Sequence, residues 1–306
     1  MSITSLLRSR ASWSGLAVAL VTALCATTVA ACGGGGGGGV ANVIDPVAQA
    51  ATTSSKTAGY RLNMALTMTS SALPNPITGI GHGAFDVPNH AGSFTLDMNL
   101  GNSPQIVQAL GGSTLQVQEL IKGQTIFMKL PTALTSRVPA FGGKPWIEVD
   151  LAKLLNSKGL GGLSSLTSNP ATGDPSQMLS YLRAASGKVT TVGTDQVNGV
   201  QTTHYRGAIS LDRVANVLPA ASRATARQSI QALEKLTNLR QLPFDVWVDG
   251  QHLVRRLGIS FSESISGQSL KMSMKIEIPQ YGPQPAPAIP PADQVTNLNA
   301  LAGAGG

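Results

Sequence analysis

Apolar and polar residues alternate along most of the chain from Gly59 onward, and this period of two indicates half-buried β-strands. The first such segment places five apolar side chains on one face: Tyr60, Leu62, Met64, Leu66 and Met68. The pattern recurs in Gly79–Val87, Gly92–Leu100, Leu115–Ile121, Thr125–Leu130, Lys144–Asp150, Val189–Thr194, Val200–Ile209, Leu242–Val248, His252–Ser262 and Ser269–Ile278. We therefore expect about ten strands.

Short turn motifs join these segments. Asn198-Gly199 is a strong hairpin signal because both residue types tolerate the positive φ angles of a type I′ turn. Further turns are predicted at Pro88-Asn89, Lys122-Gly123-Gln124, Asp249-Gly250 and Ser266-Gly267. Hairpins of this kind pair neighbouring strands in the antiparallel sense.

Helical segments interrupt the strands in the middle of the chain. Leu151–Asn156 is a short helical candidate, and Asp174-Pro175 is a good start for a helix that continues to about Ala185. A polar loop, Gly159–Gly173, separates the two, and a second helical block runs from about Leu211 to Leu239. Because strands and helices come in runs, the predicted class is α+β. One large curved antiparallel sheet with helices packed on its concave face accounts for this order.

The N-terminal residues 1–31 have the organisation of a secretory signal peptide. Arg8 and Arg10 precede an apolar run from Leu16 to Leu24, and small residues follow it. The run is shorter than the roughly 20 residues that a membrane-spanning helix needs. The segment Val29–Cys32 (VAAC) resembles the lipobox of bacterial lipoproteins, in which the cysteine is lipidated and becomes the first mature residue.

Lipidation of Cys32 predicts a protein that is exported and held on the extracytoplasmic face of the cell membrane by acyl chains. Several chains together anchor a protein stably, whereas one gives marginal binding. The alternative is a plain signal cleaved near Ala31, which would leave a free cysteine directly before seven glycines. We expect residues 32–57 to form a flexible tether, with a reach of roughly 27 Å for about 24 residues.

Composition narrows the possible functions. The chain has 306 residues and only two cysteines, of which Cys25 would be lost with the signal, so no disulfide or cysteine metal site is expected in the mature protein. Charged residues make up 12% of the chain, and the net charge of +7 falls to +5 without Arg8 and Arg10. The basic residues are scattered, so no nucleic-acid partner is predicted.

Few side chains form a pattern that suggests catalysis or metal binding. His82 and His90 could face each other across a hairpin, but two histidines alone make a poor metal site. His204 shares a strand face with Thr202 and Arg206, which is typical of a surface or core-edge histidine. No serine elbow or phosphate-binding loop occurs in a supporting context. We therefore predict no enzyme activity, no metal and no cofactor.

Two groups of charged residues surround Trp247 in the sequence. Asp245 and Asp249 are interpreted as solvent-face and turn residues. Arg255-Arg256 has two readings, a solvated strand edge or a contact for lipid headgroups, and the first is preferred.

Four segments together resemble exported lipoproteins of the LolA/LolB-like superfamily, most closely the mycobacterial LppX/LprG type. They are the lipobox, KPWIEVD (Lys144–Asp150), VNGVQTTHYRGAISL (Val197–Leu211) and LPFDVWVDGQHLVRRLGISF (Leu242–Phe261). The resemblance implies a half-barrel over residues 58–279, with a Pro-, Ala- and Gly-rich tail at 280–306 that we expect to be disordered. It also implies an apolar cavity that holds a lipid or an acylated molecule.

The sequence alone leaves the interior open to two interpretations. Leu, Met, Ile and Val on the inward faces can line a cavity, where methionine adapts to variable ligands, or can simply fill a core. In the first case seven residues are the candidate ligand contacts: Met64, Leu66, Phe94, Leu96, Met98, Val246 and Val248. The protein would then carry lipid in the cell envelope. In the second it would be an envelope sensor, adaptor or scaffold, whose protein partner the sequence does not identify.

Overall fold

The computed structural model describes residues 45–101, 112–131, 142–150, 185–217, 239–265 and 268–297, apart from positions 72, 74, 124 and 130. It also describes positions 135 and 182 and some positions between 223 and 234. Cys32, the signal segment and the glycine run lie outside these residues. So do the predicted helix at 151–156, the loop at 159–173 and most of the helix at 174–185.

Twelve strands form one open sheet. Their bounds are β1 Gly59–Ser70, β2 Ile77–Asp86, β3 Ala91–Asn99, β4 Thr114–Lys122, β5 Thr125–Lys129, β6 Trp146–Asp150, β7 Ala185–Val197, β8 Val200–Ser210, β9 Gln241–Asp249, β10 Val254–Ile265, β11 Gln268–Tyr281 and β12 Val295–Asn297. The order across the sheet is β12-β6-β5-β4-β3-β2-β1-β11-β10-β9-β8-β7. The large antiparallel sheet expected from the alternation is confirmed, with twelve strands instead of about ten.

The predicted turns lie where the strands reverse. Asn198 (φ 50°) and Gly199 (φ 80°) both have the positive φ that a type I′ turn requires. Gly123 has φ 60° between β4 and β5, and Pro88-Asn89 lies between β2 and β3. The turn at Asp249 is longer than predicted because its carboxylate accepts hydrogen bonds from the backbone N–H groups of Gln251 and Leu253.

The predicted tether is wrong for its last part. Residues Pro46–Ser55 form a helix, α1, whose start is capped by the Asp45 carboxylate, an acceptor for the N–H groups of Val47 and Ala48. Val47, Ala50 and Ala51 are fully buried in the main hydrophobic core. Ser54 Oγ also accepts a hydrogen bond from the N–H of Val254 on β10. This segment is therefore part of the folded domain.

The predicted tail is also partly ordered. A 3-10 turn at Ala292–Gln294 leads into β12, which pairs with β6 in parallel, Val295 opposite Trp146. Val295 and Trp146 pack with Leu120 and Phe127 in a second, smaller hydrophobic cluster. The domain therefore extends at least to Asn297.

The predicted helical block after β8 begins as a seven-residue helix, α2 (Leu211–Val217). Among the described residues, no helix is long and apolar enough to cross a membrane.

Candidate ligand-binding face

Strand pairing brings all seven predicted contact residues to one face of the sheet. Met64 on β1 is opposite Gly81 on β2, which is opposite Leu96 on β3. In the other direction Met64 is opposite Ile276, then Leu257, then Val246 on β9. Phe94, Met98, Leu66 and Val248 lie two residues from these positions on their strands, and side chains two apart share a face. We call this side of the sheet the apolar face, and its opposite the polar face.

The apolar face of β2 carries three glycines, which sequence reasoning did not recognise as part of the site. Gly79, Gly81 and Gly83 alternate along the strand opposite Leu66, Met64 and Leu62. An added Cβ would lie 2.4 Å from Phe94 Cζ at Gly81 and 2.9 Å from Phe94 Cδ2 at Gly83. The Phe94 ring therefore lies across the glycines instead of standing up from the sheet.

Two other aromatic rings repeat this arrangement. A Cβ at Gly92 would lie 2.4 Å from Phe85 Cδ1, and one at Gly207 would lie 2.7 Å from Phe244 Cζ. Rings that lie flat on glycines cover the backbone while occupying little height above the sheet. For the Phe94 ring, the sequence signal was glycine at alternate positions of β2, namely Gly79, Gly81 and Gly83.

Burial divides the seven predicted residues into two groups. Val246 has no exposed surface, and Val248, Phe94, Leu96 and Met98 are also buried. Met64 and Leu66, by contrast, are half-buried in the middle of the sheet. Beyond the buried side chains of β3, further half-buried apolar side chains lie on the same face of β4 and β5: Leu115, Val117, Ile126 and Met128.

One carboxyl group interrupts this apolar surface. Glu119 lies on β4 between Val117 and Ile121, opposite Phe94 on β3 and Met128 on β5. Burial raises the pKa of its carboxyl above the usual value. The alternation of β4 places this residue on the apolar face, but no motif in the sequence marks it as part of a site.

The polar face carries a network of charged and aromatic side chains on β8 and β9. The His204 and Trp247 rings stack with their centroids 4.1 Å apart. His204 Nε2 lies 2.6 Å from Asp245 Oδ1, which also accepts a hydrogen bond from Arg206 Nε at 2.9 Å. The predicted placement of His204, Thr202 and Arg206 on one face is confirmed. The contacts of His204 and Arg206 with Asp245 join β8 to β9.

Asp249 lies in a turn, as the sequence predicted, but its side chain is buried, and Arg255 is not the solvated residue that was preferred. Their side chains form an ion pair, Arg255 Nε to Asp249 Oδ2 at 2.6 Å, with only 13% and 3% of their surfaces exposed. The guanidinium also lies over the Tyr281 ring, whose hydroxyl donates a hydrogen bond to the carbonyl oxygen of Val254. Burial is the main cause that raises the pKa of Tyr281. These contacts join the β9–β10 turn to β11.

Arg256 differs from its neighbour but is not a free strand edge either. Its guanidinium lies 5.0 Å from the centre of the Trp247 ring and forms an ion pair with Glu277 at 2.9 Å. Neither arginine is therefore available as a free contact for lipid headgroups in this arrangement.

His82 and His90 do not face each other across the hairpin. His82 on β2 is opposite Thr95 on β3, whereas His90 lies in the turn after β2 with φ 47°. Within the described ranges, no three side chains of the metal-binding types come together.

Comparisons with known proteins give likeness of structure alone. No protein-family model matches the chain, and no curated protein is similar to it in sequence. It is similar to LprF from Mycobacterium bovis, with 12% identity and a TM-score of 0.41 over 79% of this chain and 94% of that one. It is also similar to the Mycobacterium tuberculosis lipoprotein LppX, with 15% identity and a TM-score of 0.39 over 79% of this chain and 100% of that one.

A third similar structure is a putative outer membrane lipoprotein-sorting protein domain from Vibrio parahaemolyticus, with 7% identity and a TM-score of 0.24 over 81% and 94% of the two chains. The first two are lipoproteins of the type that the sequence motifs indicated. All three TM-scores are below 0.5.

Proposed function

We propose that this protein is a lipid-anchored envelope lipoprotein that binds a lipid or an acylated molecule on the apolar face of its sheet and carries it within the cell envelope. In this proposal the sheet is a LolA-like half-barrel, with helices over its concave, apolar face. The anchor is the lipidated Cys32. The protein performs no chemistry on its ligand and needs no cofactor.

The observation that carries the proposal is the set of half-buried apolar side chains on β1, β4 and β5. Met64, Leu66, Val117 and Met128 lie on the same face of strands that are joined by continuous pairing. Each is partly exposed, whereas Phe244, Val246 and Val248 on β9 are buried. An acyl chain that covers such a surface gains about 0.8 kcal/mol for each methylene removed from water.

The flat aromatic rings support the same reading. Where Phe94 lies over Gly81 and Gly83, the layer of side chains above β2 is thin. A thin layer leaves room above the sheet that a filled core would use for upright side chains. Methionines on both sides of it, Met64 and Met98, can adjust to ligands of different shape.

A second candidate function is a non-carrying envelope adaptor or sensor with a filled core. One observation favours it: five of the seven predicted contacts are buried, including Val246 with no exposed surface. Buried side chains touch a ligand only if the protein rearranges. The two functions therefore differ in whether the surface around Met64 is covered by the protein itself or by a ligand.

Native mass spectrometry of the mature chain, residues 32–306 with Cys32→Ser so that it carries no acyl chain, tests the proposal. Adducts with phospholipid or glycolipid masses, lost on denaturation, are the expected result. Met64→Gln should reduce adduct occupancy severalfold, whereas Ala65→Gln, on the exposed polar face one residue away, should leave it unchanged. A clean protein mass that stays clean after incubation with envelope lipid extract would favour the adaptor.

A further inference from the structure

Glu119 is a carboxyl group placed among apolar side chains. On its own strand the residues two positions away are Val117 and Ile121. The residues directly opposite it are Phe94 on β3 and Met128 on β5. Side chains opposite each other in an antiparallel pair have their Cβ atoms about 5 Å apart, so these residues form its immediate surroundings.

Among the described residues of β3, β4 and β5, the basic side chains lie on the other side of the sheet from Glu119. Lys122 and Lys129 are exposed on the polar face, and Gln118 also points there. Among the described residues, the apolar faces of β3, β4 and β5 carry no other charged side chain. No described hydrogen bond or ion pair involves the Glu119 carboxyl, although its side chain is half-buried among apolar neighbours.

Glu119 is half-buried, so its carboxyl loses part of its contact with water. This costs free energy when no partner replaces the water, and a leucine here would continue the apolar row without that cost. A ligand on the apolar face would supply the Glu119 carboxyl with a partner if it carried a hydrogen-bond donor.

We propose that Glu119 is the polar contact of the lipid site and selects lipids that carry a hydrogen-bond donor, a hydroxyl or ammonium group, near their acyl chains. This inference rests on the proposed function. A neutral carboxyl both donates to and accepts from a hydroxyl, and a carboxylate accepts from an ammonium group. A phosphate or carboxylate placed directly against it would be disfavoured.

Four synthetic lipids with matched acyl chains provide the test. Diacylglycerol carries a free hydroxyl and phosphatidylethanolamine an ammonium group, whereas triacylglycerol and phosphatidylcholine have no such donor. Binding of each to the mature chain with Cys32→Ser is measured by native mass spectrometry and by competition with a fluorescent acyl probe. We expect at least one donor lipid to bind about tenfold more tightly than its matched lipid without a donor.

Two variants assign the preference to Glu119. Glu119→Leu should remove it while retaining the binding of triacylglycerol and phosphatidylcholine, and Glu119→Gln should retain a preference for the hydroxyl lipid only. Gln118→Leu, one residue away on the polar face, is the matched control and should change nothing. Thermal unfolding of each variant shows that the fold is intact, and Glu119→Leu should be at least as stable as the original chain.

Each other outcome overturns the inference in a recognisable way. If the original chain binds all four lipids equally, or if Glu119→Leu keeps the preference, Glu119 is not the polar contact, although the protein still binds lipid. If no lipid binds, the proposed function fails together with this inference.

Discussion

Gly81→Ala tests whether the Phe94 ring can lie flat on β2 only when glycine is beneath it. The added Cβ would lie 2.4 Å from Phe94 Cζ and 3.0 Å from Cε2, so the ring must lift by about 1 Å to restore ordinary contact. Overpacking of this kind costs about 1–3 kcal/mol, and the lower entropy of the unfolded alanine chain offsets about 0.4–1 kcal/mol. The net expectation is a loss of about 1–2 kcal/mol in the free energy of unfolding.

Urea unfolding followed by circular dichroism measures this loss as a shift of the midpoint at unchanged slope. The matched control is Gly193→Ala on β7, where an added Cβ meets no atom within 4 Å. It should leave the stability unchanged or raise it by up to about 1 kcal/mol.

A double-mutant cycle identifies the cause. In a Phe94→Leu background the ring is gone, so Gly81→Ala should cost about 1 kcal/mol less than it does in the original chain. The same cost in both backgrounds, or no cost in either, would show that the ring does not lie on this glycine and would remove an argument for open space above the sheet.

Three further perturbations probe other parts of the structure. Asp249→Ala leaves Arg255 buried without its partner and should cost about 3–5 kcal/mol in urea unfolding, whereas Asp195→Ala at an exposed position should cost under about 1 kcal/mol. Gly199→Ala forces alanine into a backbone with φ 80° and should cost about 1–2 kcal/mol in the same assay, although nothing lies within 4 Å of the new Cβ. Burial raises the pKa of Glu119, so the folded state binds this proton more tightly than the unfolded state does. The free energy of unfolding of the original chain therefore falls as the pH rises above about 4.5. Glu119→Gln should therefore gain stability relative to the original chain from pH 4 to pH 7, with no difference at pH 3; a pH-independent difference would contradict this reasoning.

The strands were predictable because nearly every one has a buried and a more exposed side. This produces the strict alternation seen in Tyr60–Met68, and the turn at Asn198-Gly199 has the residues its φ angles require. β12 gave no such signal. Its three residues pair in parallel with β6 because Val295 packs on Trp146, a contact between distant parts of the chain that local patterns do not encode.

Helix α1 was missed although its start was encoded. Asp45-Pro46 is the same capping pair that predicted a helix at Asp174-Pro175, but the glycine run before it suggested a continuous tether. The candidate site was predicted in part. Alternation alone gave the shared face of Met64 and Leu66, whereas Glu119 was overlooked because its importance depends on what its neighbouring strands carry.

In the proposed lipoprotein, the position of α1 limits how far the domain could reach from a lipid anchor at Cys32. Only twelve residues, 33–44, separate Cys32 from the capped start of the helix. If they are as flexible as their glycine content predicts, their typical span is about 19 Å, compared with the roughly 27 Å expected for a tether that continued to residue 57. A carrier held this closely would load its lipid at the membrane in which it is anchored, and its acceptor would have to approach within the same short distance. If the proposed function holds, a tether of this length therefore fits transfer to a partner at the same membrane better than delivery across the envelope.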